Sequence, residues 1–122
     1  MKLFIQIIPL LFLNITAIQG QSTSEYGTPE ERAARITDRM KEGLSLENSQ
    51  KKEIYTLNLK YAQRIQEEVI DTGMNKLSAY FRIRKINAEK EKELLPMLDD
   101  TQKEQYEQMK SEAVKELLAR FF

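Results

Sequence analysis

The residue types that could do chemistry in this chain are few, because it contains no histidine and no cysteine. It therefore has no imidazole base, no thiol nucleophile and none of the nitrogen or sulfur ligands that transition metals prefer. Carboxylate pairs such as Glu67-Glu68 and Asp99-Asp100 remain, but adjacent residues on a helix point apart, so we expect them to solvate the surface. The sequence predicts a protein that is not an enzyme and that uses no metal and no cofactor.

Binding of another polypeptide is the chemistry that the stretch between Thr72 and Ala88 favours. This stretch has no acidic residue and a local charge of +4, and its basic side chains alternate with aliphatic and aromatic ones. A surface for unfolded chains needs adaptable apolar contacts and charge that attracts a chain before it docks. The candidate client-binding residues are Lys76, Leu77, Tyr80, Phe81, Arg82, Ile83, Arg84, Lys85 and Ile86. In the alternative interpretation, the apolar members are ordinary core and the basic ones are their solvated neighbours.

Nucleic acid and a membrane surface fit the same stretch less well. The chain balances 19 basic against 19 acidic side chains, and loss of a leader that carries only Lys2 leaves a net charge of −1. Such a balance predicts no nucleic-acid partner. The apolar residues of the stretch are divided between two sides of a helix, whereas a membrane-surface helix needs one apolar face.

The elements that position these residues are all predicted to be α-helices. Charged residues make up 31% of the chain, glycine and proline are scarce, and no alternation of period two is sustained. Thr28, Pro29 and Glu31 predict a capping box at the start of the first helix, and Gly43 suits its left-handed end. The other three helices are expected at about 48–71, 75–95 and 100–121.

The third helix is predicted to be apolar on two sides. Leu77, Tyr80, Phe81 and Ala88 fall on one side, and Ile83, Ile86 and Leu94 fall on the other. Burial of a large apolar side chain contributes roughly 1.5 to 3 kcal/mol, so both sides should be covered. A second subunit, a client chain or unforeseen helix packing are the alternatives.

A five-residue motif occurs twice, as Leu46-Glu47-Asn48-Ser49-Gln50 and, 52 residues later, as Leu98-Asp99-Asp100-Thr101-Gln102. Each copy is predicted to open a helix. In the second copy Asp99 can cap the helix while Gln102 reaches back to the backbone N–H of Asp99. In the first copy Glu47 is a poor cap, so Ser45 or Asn48 are alternatives. The helix-capping residues are Leu46, Gln50, Leu98, Asp99 and Gln102.

The repeated leucine, capping residue and glutamine resemble the LTxxQ-motif family of Spy and CpxP over about residues 29 to 121. The family's threonine cap is replaced by Glu47 and Asp99. The resemblance implies an elongated four-helix layer that forms an antiparallel, cradle-like homodimer in the periplasm. It also implies an ATP-independent chaperone or envelope-stress accessory protein that binds unfolded or misfolded envelope proteins. The alternatives are a regulator that binds an envelope sensor-kinase domain, or a small structural protein without clients.

The N-terminal 20 residues have the pattern of a secretory signal peptide. Lys2 precedes an apolar run from Leu3 to Ile18, which is shorter than the roughly 20 apolar residues of a membrane-spanning helix. We expect cleavage after Gly20, or alternatively after Ala17, and no stable membrane anchor. The remaining domains are a disordered lead-in at 21–27 and a single helical domain at 28–122. The protein would be periplasmic, or secreted if the source is not Gram-negative.

Overall fold

The computed structural model describes residues 27–121 of the chain, with the side chains at 114, 116–118, 120 and 121 left out of the description. The predicted signal peptide at 1–20, most of the predicted lead-in and Phe122 lie outside the described residues. Four α-helices and no strand occur in residues 27–121, which confirms the all-α, four-helix prediction. The helices are α1 (Pro29–Leu44), α2 (Asn48–Glu68), α3 (Lys76–Leu94) and α4 (Asp100–Phe121), and short 3₁₀ turns occupy Ile70–Thr72 and Leu95–Met97.

Helix α1 begins as predicted but ends differently. The Glu31 N–H donates to Thr28 Oγ1 at 3.1 Å and the Thr28 N–H donates to Glu31 Oε1 at 2.8 Å, so the capping box is present. The predicted end at Gly43 is wrong, because the helix continues to Leu44 and Ser45 takes the left-handed φ of 53°. Gly43 instead permits a close approach, since a Cβ there would lie 2.6 Å from Met109 Sδ of α4.

The link between α2 and α3 is a tight turn that two local signals explain. The α-helical part of α2 stops at Glu68, before the predicted end near residue 71, and a 3₁₀ turn continues the chain. Gly73 closes that turn with a φ of 68°, a conformation that glycine adopts without strain. The Asn75 side chain then accepts a 2.8 Å hydrogen bond from the Ser78 N–H and caps α3.

Helix α2 is central, because it packs against both α1 and α3 while α1 also contacts α4. The apolar side chains between these helices form one cluster. Its buried members are Met40, Leu44, Leu46, Ile54, Leu57, Tyr61, Val69, Ile70, Ala79, Ile83, Ile86, Leu94 and Leu98. Two of the buried polar residues, Asn58 and Thr37, meet across the α1–α2 contact, where Asn58 Nδ2 donates to Thr37 Oγ1 at 2.9 Å. In residues 27–121, no helix is both long enough and apolar enough to cross a membrane.

Candidate functional site

The two sides of α3 have different environments. Ile83 and Ile86, two of the nine candidate client-binding residues, are 8% and 0% exposed and belong to the core. They are therefore not part of the surface. On the other side, Leu77 and Phe81 are 67% and 57% exposed, which makes them the large hydrophobic residues that the described part of the chain leaves in solvent. Helix packing covers one apolar side of α3 and leaves the other open.

The open side of α3 is a single line of side chains. Leu77, Phe81, Arg84, Ala88 and Lys92 follow one another at intervals of three or four residues, which places them on one face of a helix, and all are exposed. Lys85 is exposed on the same face. We call this set of six residues the α3 stripe. Sequence reasoning missed Lys92, although the same spacing continued to it.

The acidic residues of α3 do not lie free beside the stripe, because neighbouring helices engage them. Arg64 Nη1 of α2 donates to Glu89 at 2.7 Å, and Lys60 Nζ pairs with Glu93 at 3.1 Å. From α4, Lys110 Nζ pairs with Glu91 at 3.0 Å. The tyrosine hydroxyls of the same two helices also donate, Tyr61 to Glu93 and Tyr106 to Glu91. All three glutamates in the C-terminal half of α3 are therefore paired with residues of α2 or α4.

Most of the basic side chains of α3, in contrast to its glutamates, make no ion pair with a described side chain of another helix. Arg82 Nη1 contacts Glu68 of α2 at 3.4 Å. Among the described side chains, by contrast, Lys76, Arg84, Lys85 and Lys92 make no ion pair. The exposed side of α3 is therefore positively charged.

Two aromatic contacts link residues of this surface to Tyr80. The Arg84 guanidinium lies 5.7 Å from the centre of the Tyr80 ring, a cation–π distance. The half-buried Tyr80 in turn meets Phe81 edge to face, with ring centres 5.5 Å apart. A charged group and an exposed apolar ring are thus presented side by side.

The charged contacts that fix α3 also shift the pKa values of their members. Hydrogen bonds from Tyr61 and then Lys60 lower the pKa of the Glu93 carboxyl, and the hydrogen bond with Glu93 raises the pKa of Tyr61. The Arg64 guanidinium lowers the pKa of Glu68 in the same way. These carboxylates are therefore ionised at neutral pH and hold α3 against α2.

The two copies of the repeated motif meet in space, which the sequence did not predict. Gln50 Nε2 donates to Gln102 Oε1 at 2.9 Å and Gln102 Nε2 donates to Gln50 Oε1 at 3.1 Å. The second amide hydrogens go to the Met97 and Leu44 carbonyls, at 3.0 and 3.3 Å. Leu46 and Leu98, the leucines of the two copies, are buried in the core. The motif is thus a tertiary contact as well as a helix start.

The capping predictions for the motif are confirmed in the second copy and corrected in the first. The Gln102 N–H donates to Asp99 Oδ1 at 2.7 Å, and the Asp99 N–H donates to Gln102 Oε1 at 3.0 Å. In the first copy neither Ser45 nor Asn48 is the cap, because Ser45 ends α1 and Asn48 is already helical. Glu47 is the N-cap residue, and its N–H donates to Gln50 Oε1 at 3.0 Å.

The rest of the described surface offers weaker candidates for a functional site. An open groove of about 330 Å³ runs between α1 and α2 beside Tyr55, where Lys51 and Asp38 pair at 3.3 Å. Among the side chains that the structure describes, no group of three or more from histidine, cysteine, aspartate or glutamate could hold a metal ion. The α3 stripe is therefore the surface on which a functional proposal can be based.

Comparison with protein families gives one match, and it covers most of the chain. The family model described as "Domain of unknown function (DUF4890)" matches residues 17–120. Neither the curated proteins nor the solved structures gave a match.

Proposed function

Because the chain belongs to the DUF4890 family, whose description gives no activity, we propose its function from the α3 stripe: it is a polypeptide-binding protein without catalytic activity that holds unfolded or misfolded chains on this surface. The observation that carries the proposal is the combination of exposed Leu77 and Phe81 with unpaired basic side chains on one helix face. Leu77 and Phe81 lie one helical turn apart, so they form a continuous exposed apolar patch, and such patches mark interaction sites.

The charge distribution supports the same function. Unfolded chains present apolar residues that contact Leu77 and Phe81, while Arg84, Lys85 and Lys92 attract acidic neighbours of those residues at longer range. No nucleotide-binding loop occurs in the sequence, so we propose binding and release without ATP. The resemblance to Spy and CpxP supports a periplasmic chaperone or envelope-stress accessory protein that works as a homodimer.

The test is suppression of aggregation of a chemically denatured client by residues 21–122. We expect suppression by the unaltered protein and loss of it in Leu77→Ser/Phe81→Ser, because both exposed apolar contacts are removed while the core is untouched. Tyr55→Ser, which changes a half-buried aromatic residue on α2, is the control and should keep full activity. Failure of the unaltered protein at several-fold molar excess would overturn the proposal.

A second candidate is a regulator that binds one folded partner, such as an envelope sensor-kinase domain. The narrowness of the surface favours it, because Leu77 and Phe81 are the large hydrophobic residues that the described part of the chain exposes. A regulator would bind one partner saturably with fixed stoichiometry, whereas a chaperone would bind many unfolded clients. A third candidate, a structural protein without clients, would bind neither.

A further inference from the structure

The α3 stripe has a direction along its helix. Leu77 and Phe81 occupy its N-terminal end, and Arg84, Lys85 and Lys92 follow toward the C-terminal end. The chemistry of the surface therefore changes from apolar to cationic over 15 residues, which is about 22 Å at 1.5 Å per residue. A bound segment that uses the whole stripe must carry its own apolar and acidic residues in a matching order.

We propose that the α3 stripe binds an amphipathic helical segment that runs antiparallel to α3, with acidic residues in its N-terminal half and large apolar residues in its C-terminal half. This inference rests on the proposed function, because it specifies the class of polypeptide that the same surface takes. In this arrangement the apolar half packs on Leu77 and Phe81, and the acidic half faces the cations that follow them.

The linear geometry of the stripe supports a helical partner. Exposed side chains that recur every three or four residues match the spacing of side chains on the facing side of a second helix, so contacts repeat over about four turns. A segment that is unfolded in solution would become helical as it docks.

Charge complementarity supports both the acidic character and the direction. The glutamates of α3 pair with Arg64 and Lys60 of α2 and Lys110 of α4, so they repel an acidic ligand on the stripe less than unpaired carboxylates would. An antiparallel ligand brings its N-terminal turns to the cationic end of the stripe. Acidic residues in those turns also stabilise the ligand's own helix through its dipole, so one arrangement satisfies both requirements.

The experiment compares two helical peptides of identical composition, each held helical by a lactam bridge on the side away from the contact. The first has glutamates in its N-terminal half and leucine and phenylalanine in its C-terminal half, and the second has these halves exchanged. We expect the first peptide to bind residues 21–122 about fivefold more tightly at low salt, because the second can match the stripe only by docking parallel to α3, where the aligned helix dipoles repel. This preference should shrink at high salt because screening weakens the ion pairs.

Variants assign the preference to the stripe. Arg84→Ser/Lys85→Ser/Lys92→Ser should bind both peptides equally, whereas Lys52→Ser/Lys115→Ser, which removes exposed lysines elsewhere, should keep the preference. Equal binding of the two peptides by the unaltered protein would overturn the inference.

If Leu77→Ser/Phe81→Ser then still lost suppression of client aggregation, the proposed function would stand without the preference for an antiparallel helix. Loss of peptide binding together with self-association through α3 would show that a second copy occupies the stripe, and would also overturn the inference.

Discussion

At the scale of single residues, the pairing of Gln50 with Gln102 explains why the repeated motif ends in glutamine. Each side-chain oxygen accepts from a backbone N–H of its own motif and from the other glutamine, and each amide nitrogen donates to the other glutamine and to a carbonyl. Every donor and acceptor position of both amides is used. Glutamate has the shape of glutamine but lacks the donors, so this contact selects for the amide.

Gln102→Glu is expected to destabilise the protein by about 2 to 4 kcal/mol, because two buried donors are replaced by a carboxylate that faces acceptors. Burial beside acceptors should raise the pKa of the new carboxyl, so the loss should be largest at neutral pH and smaller in acid, where the protonated form regains a donor. Urea denaturation at two pH values measures both effects. Gln108→Glu, which adds the same charge at an exposed position of α4, should change stability by no more than about 0.5 kcal/mol. Equal effects of the two substitutions would contradict the pairing.

The effect of a Cβ at position 43 is expected to depend on Met109, which lies against Gly43. Gly43→Ala places a Cβ 2.6 Å from Met109 Sδ, so the end of the Met109 side chain must move, and this offsets part of the better helix propensity of alanine. In a Met109→Ala background the contact is absent, and the same substitution should stabilise α1 by about 1 kcal/mol. Thermal denaturation of the four proteins in this double-mutant cycle measures the difference between the two backgrounds. An equal effect in both backgrounds would show that Gly43 and Met109 are not in close contact.

At the scale of the helices, three ion pairs join α2 and α3, and their order along α2 is the reverse of their order along α3, as antiparallel packing requires. Lys60 contacts Glu93, Arg64 contacts Glu89 and Glu68 contacts Arg82. These pairs are partly exposed, so each contributes modestly. Their larger consequence is orientational, because they turn the glutamates of α3 toward α2 and leave the stripe cationic.

Acid is expected to weaken the contact between α2 and α3. Hydrogen bonds from Tyr61 and Lys60 lower the pKa of Glu93 below its ordinary value of 4.5, so this contribution to stability is present above that pH and is lost as the pH falls through the lower pKa of the folded state. Glu93→Gln should therefore reduce the loss of stability below pH 4.5. Chemical denaturation at a series of pH values between neutral pH and strong acid measures this loss of stability for each protein. Glu67→Gln, a change at an exposed glutamate of α2, should lose stability in acid as the unaltered protein does. Identical acid profiles for all three proteins would show that Glu93 is not part of the contact.

The helices could be predicted from the sequence better than their contacts, because helix starts depend on neighbouring residues. Thr28 with Glu31, and Asp99 with Gln102, form the predicted capping boxes. The end of α1 was misplaced because Gly43 serves a contact with α4, which no local pattern contains. For the same reason the pairing of Gln50 with Gln102 could not be predicted, since it joins residues that only the fold brings together.

At the scale of the whole molecule, the four helices cover one side of α3 and leave the other in solvent. The sequence predicted two apolar sides on this helix, but it could not say which side the core would use. The structure places Ile83 and Ile86 inside and Leu77 and Phe81 outside. The candidate site is therefore smaller than the predicted segment, and it extends further along the helix, to Lys92.

The central claim, that unfolded polypeptide binds on the α3 stripe, is tested most directly by site-specific crosslinking. A photoreactive phenylalanine analogue is placed either at position 81 or at position 55, which lies on α2 beside the α1–α2 groove, and each protein is irradiated with a denatured client. We predict strong crosslinking from position 81, weak crosslinking from position 55, and competition by unlabelled client at position 81. Equal crosslinking from both positions, or none from position 81, would contradict the claim.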